Sequence, residues 1–301
     1  MNRETPFRSG YVAIVGRPNV GKSTLMNHLL GQKISITSRK PQTTRHRILG
    51  IKTTEENQVV YVDTPGVHLN AKKAMNRYMN RAATTSLEDV DLILFLVEAD
   101  SWTEEDENLL KRLKEAKAPV FLIVNKVDRV KEKESLLPML QELSQKMAFA
   151  SVLPLSALKG SNIEQLEREV YQRLPESDMI FPEDYVTDRS SRFLAAEIIR
   201  EKLMRGLGKE LPYATAVEIE SFKEEEGMLH IHGLIWVERD SQKRIVIGKG
   251  GEKLKEVGKQ ARLDMQRLFD SKVFLQLWVK VKEGWSDNER ILNSLGYKDE
   301  L

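Results

Sequence analysis

Gly16-Arg17-Pro18-Asn19-Val20-Gly21-Lys22-Ser23 is the stretch on which the reading of this chain turns. The apolar run Tyr11–Val15 precedes it and the amphipathic run Ser23–Leu30 follows it. Strand, glycine-rich turn and helix in that order open an α/β unit that holds anions. Glycines let backbone N–H groups curl around a phosphate, and the helix N-terminus adds partial positive charge. Lys22 is placed to reach the outer phosphates and the Ser23 hydroxyl to ligate Mg²⁺. The stretch therefore predicts a bound nucleoside triphosphate lined by Gly16 through Thr24.

Around this turn, the runs Val59–Val62, Leu92–Val97, Val120–Val124 and Val152–Leu155 are near-continuously apolar, as strands covered on both faces are. Helical periodicity falls on Ala74–Thr85, Thr103–Ala116, Glu132–Met147 and Asn162–Leu174. Thr103 with Asp106 resembles a capping box, and Gly31 is a helix stop. His46–Thr53 and Gln58–Val62, joined by a short turn, predict one antiparallel hairpin at the edge of a mostly parallel, doubly wound sheet.

Each remaining strand end carries a short polar pattern. After Val120–Val124 comes Asn125-Lys126-Val127-Asp128. A carboxylate accepts two parallel hydrogen bonds, which suits the N1–H and N2–H donors of guanine and meets no donors on that edge of adenine. Asp128 thus selects guanine, Asn125 supports the loop, and the Lys126 stem lies across the ring. After Val59–Val62 comes Asp63-Thr64-Pro65-Gly66-Val67. Asp63 is expected beside Mg²⁺ through water, and the Gly66 N–H at the γ-phosphate. After Val152–Leu155, Ser156 and Ala157 offer a backbone N–H to the base. Gln42-Thr43-Thr44-Arg45 supplies a hydroxyl for the metal, either Thr43 or Thr44, with Thr44 preferred; Ser38–Arg47 otherwise reads as an exposed basic loop. Catalysis falls to Lys22 and Gly66, with Asn19 offered for a K⁺ ion. Val67 cannot orient water, no general base is assigned, and His46 and His68 are read as solvated, so slow hydrolysis awaiting a stimulus is expected.

Beyond Leu174 the pattern changes. Pro175–Tyr185 is an acidic, Pro-punctuated connector. A helix over Arg192–Arg205, strands over Ala214–Phe222, Met228–Glu238 and Arg244–Ile247, a helix over Glu252–Phe269, a strand over Val273–Val281 and a last helix over Asp287–Leu295 follow. Ile247-Gly248-Lys249-Gly250-Gly251 lacks bulky side chains at three positions, so a nucleic-acid backbone can approach. Lys249, Lys253, Lys255 and Lys259 gather positive charge in a chain of net charge +2. Ile247 and Leu254 are read as an apolar platform for unpaired bases, Trp236 and Trp278 as core, and Trp285 as exposed.

These motifs look like those of the translation-factor-related GTPases, and the GxxG loop resembles that of a type II K homology (KH) domain. Together with Phe181-Pro-Glu-Asp-Tyr185 and Gln42-Thr-Thr-Arg-His46, the order resembles the Era-like family over nearly the whole chain. The resemblance implies a P-loop GTPase domain followed by an α+β type II KH domain, with GTP and GDP as ligands and single-stranded RNA from the 3′ region of small-subunit ribosomal RNA. It implies a role in small-subunit assembly and peripheral association with the inner membrane. Expected boundaries are a tail at 1–8, the GTPase domain at 9–176, a linker at 177–190, the KH domain at 191–285 and a C-terminal helix and tail at 286–301.

At 301 residues, 41% hydrophobic and 31% charged, the chain has the composition of two folded domains. With no cysteine it has no disulfide or thiolate metal site. The polar N-terminus lacks a secretory signal, and no apolar run approaches the roughly 20 residues of a membrane span, so a cytoplasmic protein is expected.

Overall fold

A computed structural model describes residues 6–38, 40, 42–65, 74–75, 78–79, 89–131, 134, 136–208 and 211–294. The chain divides into two units: Met1–Ser35, Thr44–Asn70 and Met79–Asp188 form one, and Ile36–Thr43, Ala71–Tyr78 and Arg189–Leu301 the other.

The first unit is built on six strands, β1 (Arg8–Val15), β2 (Ile48–Thr53), β3 (Asn57–Asp63), β4 (Leu92–Glu98), β5 (Val120–Asn125) and β6 (Ser151–Pro154), in the order β2-β3-β1-β4-β5-β6. All neighbours are parallel except β2 and β3, the expected edge hairpin. Every residue of β5 is buried, and all of β4 except Glu98, because helices cover both faces. The helices are α1 (Lys22–Leu30), α2 (Glu104–Leu113), α3 (Leu136–Ser144) and α4 (Ile163–Arg173). Leu109, Leu110 and Leu113 of α2 join β1, β4 and β5 in one core. Thr103 caps α2 as a capping box closed by Asp106, and Gly31 ends α1 in the left-handed conformation. The helix expected over Ala74–Thr85 lies almost wholly outside the described residues.

Strand order reverses direction on either side of β1, which opens a crevice at the carboxyl ends of β1, β3 and β4. The connector packs on the far edge. The Ile51 N–H bonds Val186 O at 2.9 Å, Gln58 bridges Ile180 and Phe181, and Phe181 lies against Leu49, Ile51, Val60 and Val62.

The second unit carries α5 (Ser191–Gly206), β7 (Thr215–Glu225), β8 (Met228–Val237), α6 (Asp240–Ile247), α7 (Glu252–Phe269), β9 (Lys272–Val281) and α8 (Glu289–Ser294). Its sheet runs β7-β8-β9, antiparallel then parallel. Two expectations fail here. Arg244–Ile247 is helix, not strand: Gln242 accepts the Glu238 and Arg239 N–H groups at 2.8 and 3.1 Å and fixes a helical first turn. The order is therefore helix, strand, strand, helix, helix, strand, with the glycine loop between two helices. The tryptophans also change places. Leu229, Ile231, Ile235 and Val237 face the helices, so alternation sends Trp236 to the opposite face. On β9, Val273 and Val279 face inward, and Trp278 is 42% exposed. Trp285 is fully buried.

Ile36–Thr43 belongs to this unit because α5 holds its backbone. The Thr37 N–H donates to Glu201 at 3.0 Å, Arg205 donates to Thr37 O at 3.1 Å, Lys40 donates to Met204 O and Leu207 O, and Arg200 donates to Thr43 O.

Candidate functional site

Gly16 and Gly21 take positive φ values of 154° and 110°, and a Cβ on Gly21 would meet the Asn125 amide nitrogen at 2.3 Å. Only glycine lets the phosphate loop and the Asn125 loop approach this closely. The approach is bonded as well: Asn125 Nδ2 donates to Val20 O at 2.7 Å, and Asn125 Oδ1 accepts the Ala157 N–H at 2.9 Å. Three of the sequence-legible motifs are thus joined by one buried side chain. Ser156 donates to an Asp128 carboxylate oxygen, which leaves the other Asp128 oxygen and the exposed rim for a ligand.

At the other end, Lys22 Nζ donates to Gly16 O and Arg17 O at 2.9 and 3.0 Å. Burial pushes its pKa down to about 8 against the pull of Asp63. Asp63 Oδ2 accepts from Ser23 at 2.8 Å, Ser35 at 2.7 Å and Thr44 at 3.3 Å, while its Oδ1 is buried with no partner. Burial raises the Asp63 carboxyl, opposed by the Lys22 charge and the three hydroxyls. Three hydroxyls and one under-satisfied carboxylate converge within hydrogen-bonding distance, and among them Ser23, Thr44 and Asp63 make a hard-oxygen donor set that fits Mg²⁺ with waters and phosphates completing it. Among the described residues no group of three or more His, Cys, Asp or Glu could hold a metal. Thr44, not Thr43, is at this point; Thr43 donates to Lys40 O at 2.7 Å. Thr44, Arg45 and His46 are buried, so this part of Ser38–Arg47 is not an exposed loop and His46 is not solvated.

Thr64 Oγ1 donates to Ile14 O at 3.1 Å, fastening the Asp63 loop to β1 beside Pro65. Gly66, Val67 and His68 lie outside the described residues. Arg17 and Asn19 flank Pro18, and Asn19 is left-handed at φ 66° with its carbonyl accepting Lys126 Nζ at 2.7 Å.

Sequence reasoning missed three residues. Ser35 reaches Asp63 because Asn27 of α1 binds the Ile34 and Ser35 N–H groups, both at 2.9 Å. Asp106 and Glu98 hold Arg17. Only Glu98 left a signal, as the one charged residue closing an apolar strand that ends at the crevice.

In the second unit Gly248, Gly250 and Gly251 all have positive φ, and Gly248 at φ 76°, ψ 174° occupies a region open essentially to glycine alone. Lys249, Lys253, Lys255 and Lys259 are exposed around the loop and the first turns of α7. Ile247 and Leu254 are half-buried on the helix–sheet core, which gives an apolar surface beside a positive helix end.

Comparison with known proteins identifies a GTPase segment and a KH segment. Residues 11–126 match the family model described as 50S ribosome-binding GTPase, and residues 210–286 match that of the KH domain. The chain is 62% identical over 292 residues to GTPase Era of Pseudomonas aeruginosa, covering 97% of this chain and 96% of the relative. It is 60% identical over 299 residues to GTPase Era of Azotobacter vinelandii, covering 99% and 100%. Two solved structures superpose at TM-score 0.93 with 41% identity, each covering 97% of this chain and 99% of the other. One is an Aquifex aeolicus Era variant bound to GDP and aluminium fluoride, the other Era with MgGDPNP and nucleotides 1506–1542 of 16S ribosomal RNA.

Proposed function

Because the chain belongs to the Era family of GTPases, we propose that it hydrolyses GTP at the Lys22–Asp63–Asn125 crevice and binds single-stranded 16S ribosomal RNA at the Gly248–Gly251 loop during small-subunit maturation. The observation that carries this is Asn125, one buried side chain bonded to both the phosphate loop and the base loop. It lets a base held at Asp128 and phosphates held at Lys22 belong to one ligand.

We assign the GTPase domain to 9–176, the connector to 177–190 and the KH domain to 191–285. Gly16 through Thr24 cradle the phosphates through backbone N–H groups, and the Lys22 ammonium neutralises the outer two. Ser23 and Thr44 hydroxyls and Asp63, through water, would hold Mg²⁺, which supplies charge neutralisation on the phosphate oxygens when bound. Asp128 pairs with the guanine edge, Lys126 covers the ring, and Ser156 and Ala157 shape the base end. Gly66 is assigned to the γ-phosphate and Val67 to the place where a water-orienting side chain is missing, so intrinsic turnover is slow and awaits a partner. Asn19 is assigned to a K⁺ ion; equal turnover in K⁺ and Na⁺ removes that assignment. Residence in the cytoplasm and peripheral contact with the inner membrane rest on family resemblance. Among the described residues no helix is long and apolar enough to cross a membrane.

RNA recognition is tested by equilibrium binding of a short single strand and of a duplex at fixed salt. The single strand should bind more tightly. Lys249→Ala with Lys253→Ala should weaken it by roughly tenfold and lower its salt dependence. Preference for the duplex, or no effect of the lysines, contradicts the assignment.

A further inference from the structure

One carboxylate outside the assigned motifs reaches both ends of the nucleotide site. Glu98 closes β4 directly opposite Asn125 in the parallel register. Its Oε1 accepts from Lys126 Nζ, and its Oε2 lies 3.2 Å from Arg17 Nη2. The Lys126 ammonium also donates to Asn19 O at 2.7 Å, so base loop and phosphate loop are fastened at one point. Arg17 is fully engaged on this side: its Nε donates to Asp106 at 3.0 Å and its Nη2 to Ser101 at 2.6 Å. Its guanidinium is bound to the α2 end of the domain rather than offered to phosphate.

Two features separate this network from an ordinary surface ion pair. The Glu98 and Arg17 side chains are each only 14% exposed and that of Lys126 18%, so solvent screens them weakly. Lys126 also holds a left-handed backbone at φ 66°, which a non-glycine residue keeps only when its surroundings over-determine it. Burial alone would raise the Glu98 carboxyl, and the bonds and charges of Lys126 and Arg17 instead hold it below the usual range.

We infer that Glu98 is a positioning residue which clamps the Lys126 stem over the guanine position and ties it to the phosphate loop through Arg17, thereby setting how long a guanine nucleotide stays bound. The inference rests on the base-covering role proposed above for Lys126. It is tested by displacing a fluorescent GDP analogue from wild type and from Glu98→Gln. Removing the charge should speed release about tenfold, a charged hydrogen bond's worth, and GTP release by the same factor. In a double-mutant cycle with Lys126→Met, Glu98→Gln should add almost nothing, because both act through one contact. Wild-type release from Glu98→Gln, or additive effects in the cycle, overturns the inference, since a purely structural Glu98 would act independently of Lys126. If Glu98→Gln folds poorly, Glu98→Asp, too short to reach both cations, should also speed release, and unchanged release contradicts the clamp. Failure of wild type to bind the analogue would instead defeat the nucleotide site itself.

Discussion

Lys22 is a buried ammonium whose close acceptors are two loop carbonyls, and the consequence is a testable proton. Its pKa in the nucleotide-free protein is about 8, below the ordinary 10.5, because burial disfavours the charged form. A lysine depressed in the folded state destabilises the empty fold below about pH 8, and that penalty fades as pH rises toward the unfolded value. Phosphate reverses the preference, so binding takes up a proton wherever the free protein has lost it. Affinity for GDP should be flat below about pH 8 and fall above it, by up to about tenfold per pH unit. Calorimetry in two buffers of different ionisation heat reads the uptake directly: none near pH 6.5, a substantial fraction near pH 9. Equal values at both contradict the depressed ammonium. Lys22, Ser23, Asp63 and Asn125 were legible because each occupies a fixed place in a local motif. Ser35 and Asp106 were not, since their contacts at the site span 28 and 89 residues of sequence and no local spacing records them.

At the scale of elements, periodicity located the buried strands of the first sheet well and the second sheet less well. Near-continuous apolar runs admit one reading, whereas β8 and β9 alternate, and a parity decision was needed there. Met228-Leu-His-Ile-His puts Leu229 and Ile231 on the helix side, and the same count sends Trp236 outward. The signal was present and the size of the indole overrode it. Arg244–Ile247 misled differently: Ile-Val-Ile suggests a strand, yet Gln242 starts a helix and only Val246 is buried in it. The loop that follows makes its own demand. A Cβ on Gly248 would meet the Lys253 side chain at 2.9 Å and its backbone nitrogen at 3.1 Å, at a backbone angle closed to other residues. Gly248→Ala should therefore cost about 1–3 kcal/mol in unfolding of this domain and weaken RNA binding with it. A Cβ added to Gly250 meets nothing within 4 Å, so alanine should be accepted there at roughly 1 kcal/mol. Equal denaturation midpoints for the two variants would contradict the geometry.

At the scale of the whole molecule, two units share one chain, and one of the crossings between them falls between Thr43 and Thr44. Thr44 stands at Ser23 and Asp63 in the first unit, and Thr43 is held by Arg200 of α5 in the second. The division into a doubly wound domain and an α+β domain was legible from the change of pattern after Leu174. The assignment of residues 36–43 to the second unit was not, because it depends on side chains of α5 distant in sequence. The proposed function rests on a single crevice in which Asn125 bonds both the phosphate loop and the base loop, so that one ligand would reach from Asp128 to Lys22. Its most direct test is the pair of dissociation constants of nucleotide-free protein for GTP and ATP in Mg²⁺. GTP should bind at least about a thousandfold tighter, the discrimination expected when a site built to pair with a base's donors is left unpaired by the wrong base. Comparable affinities for the two nucleotides would contradict it.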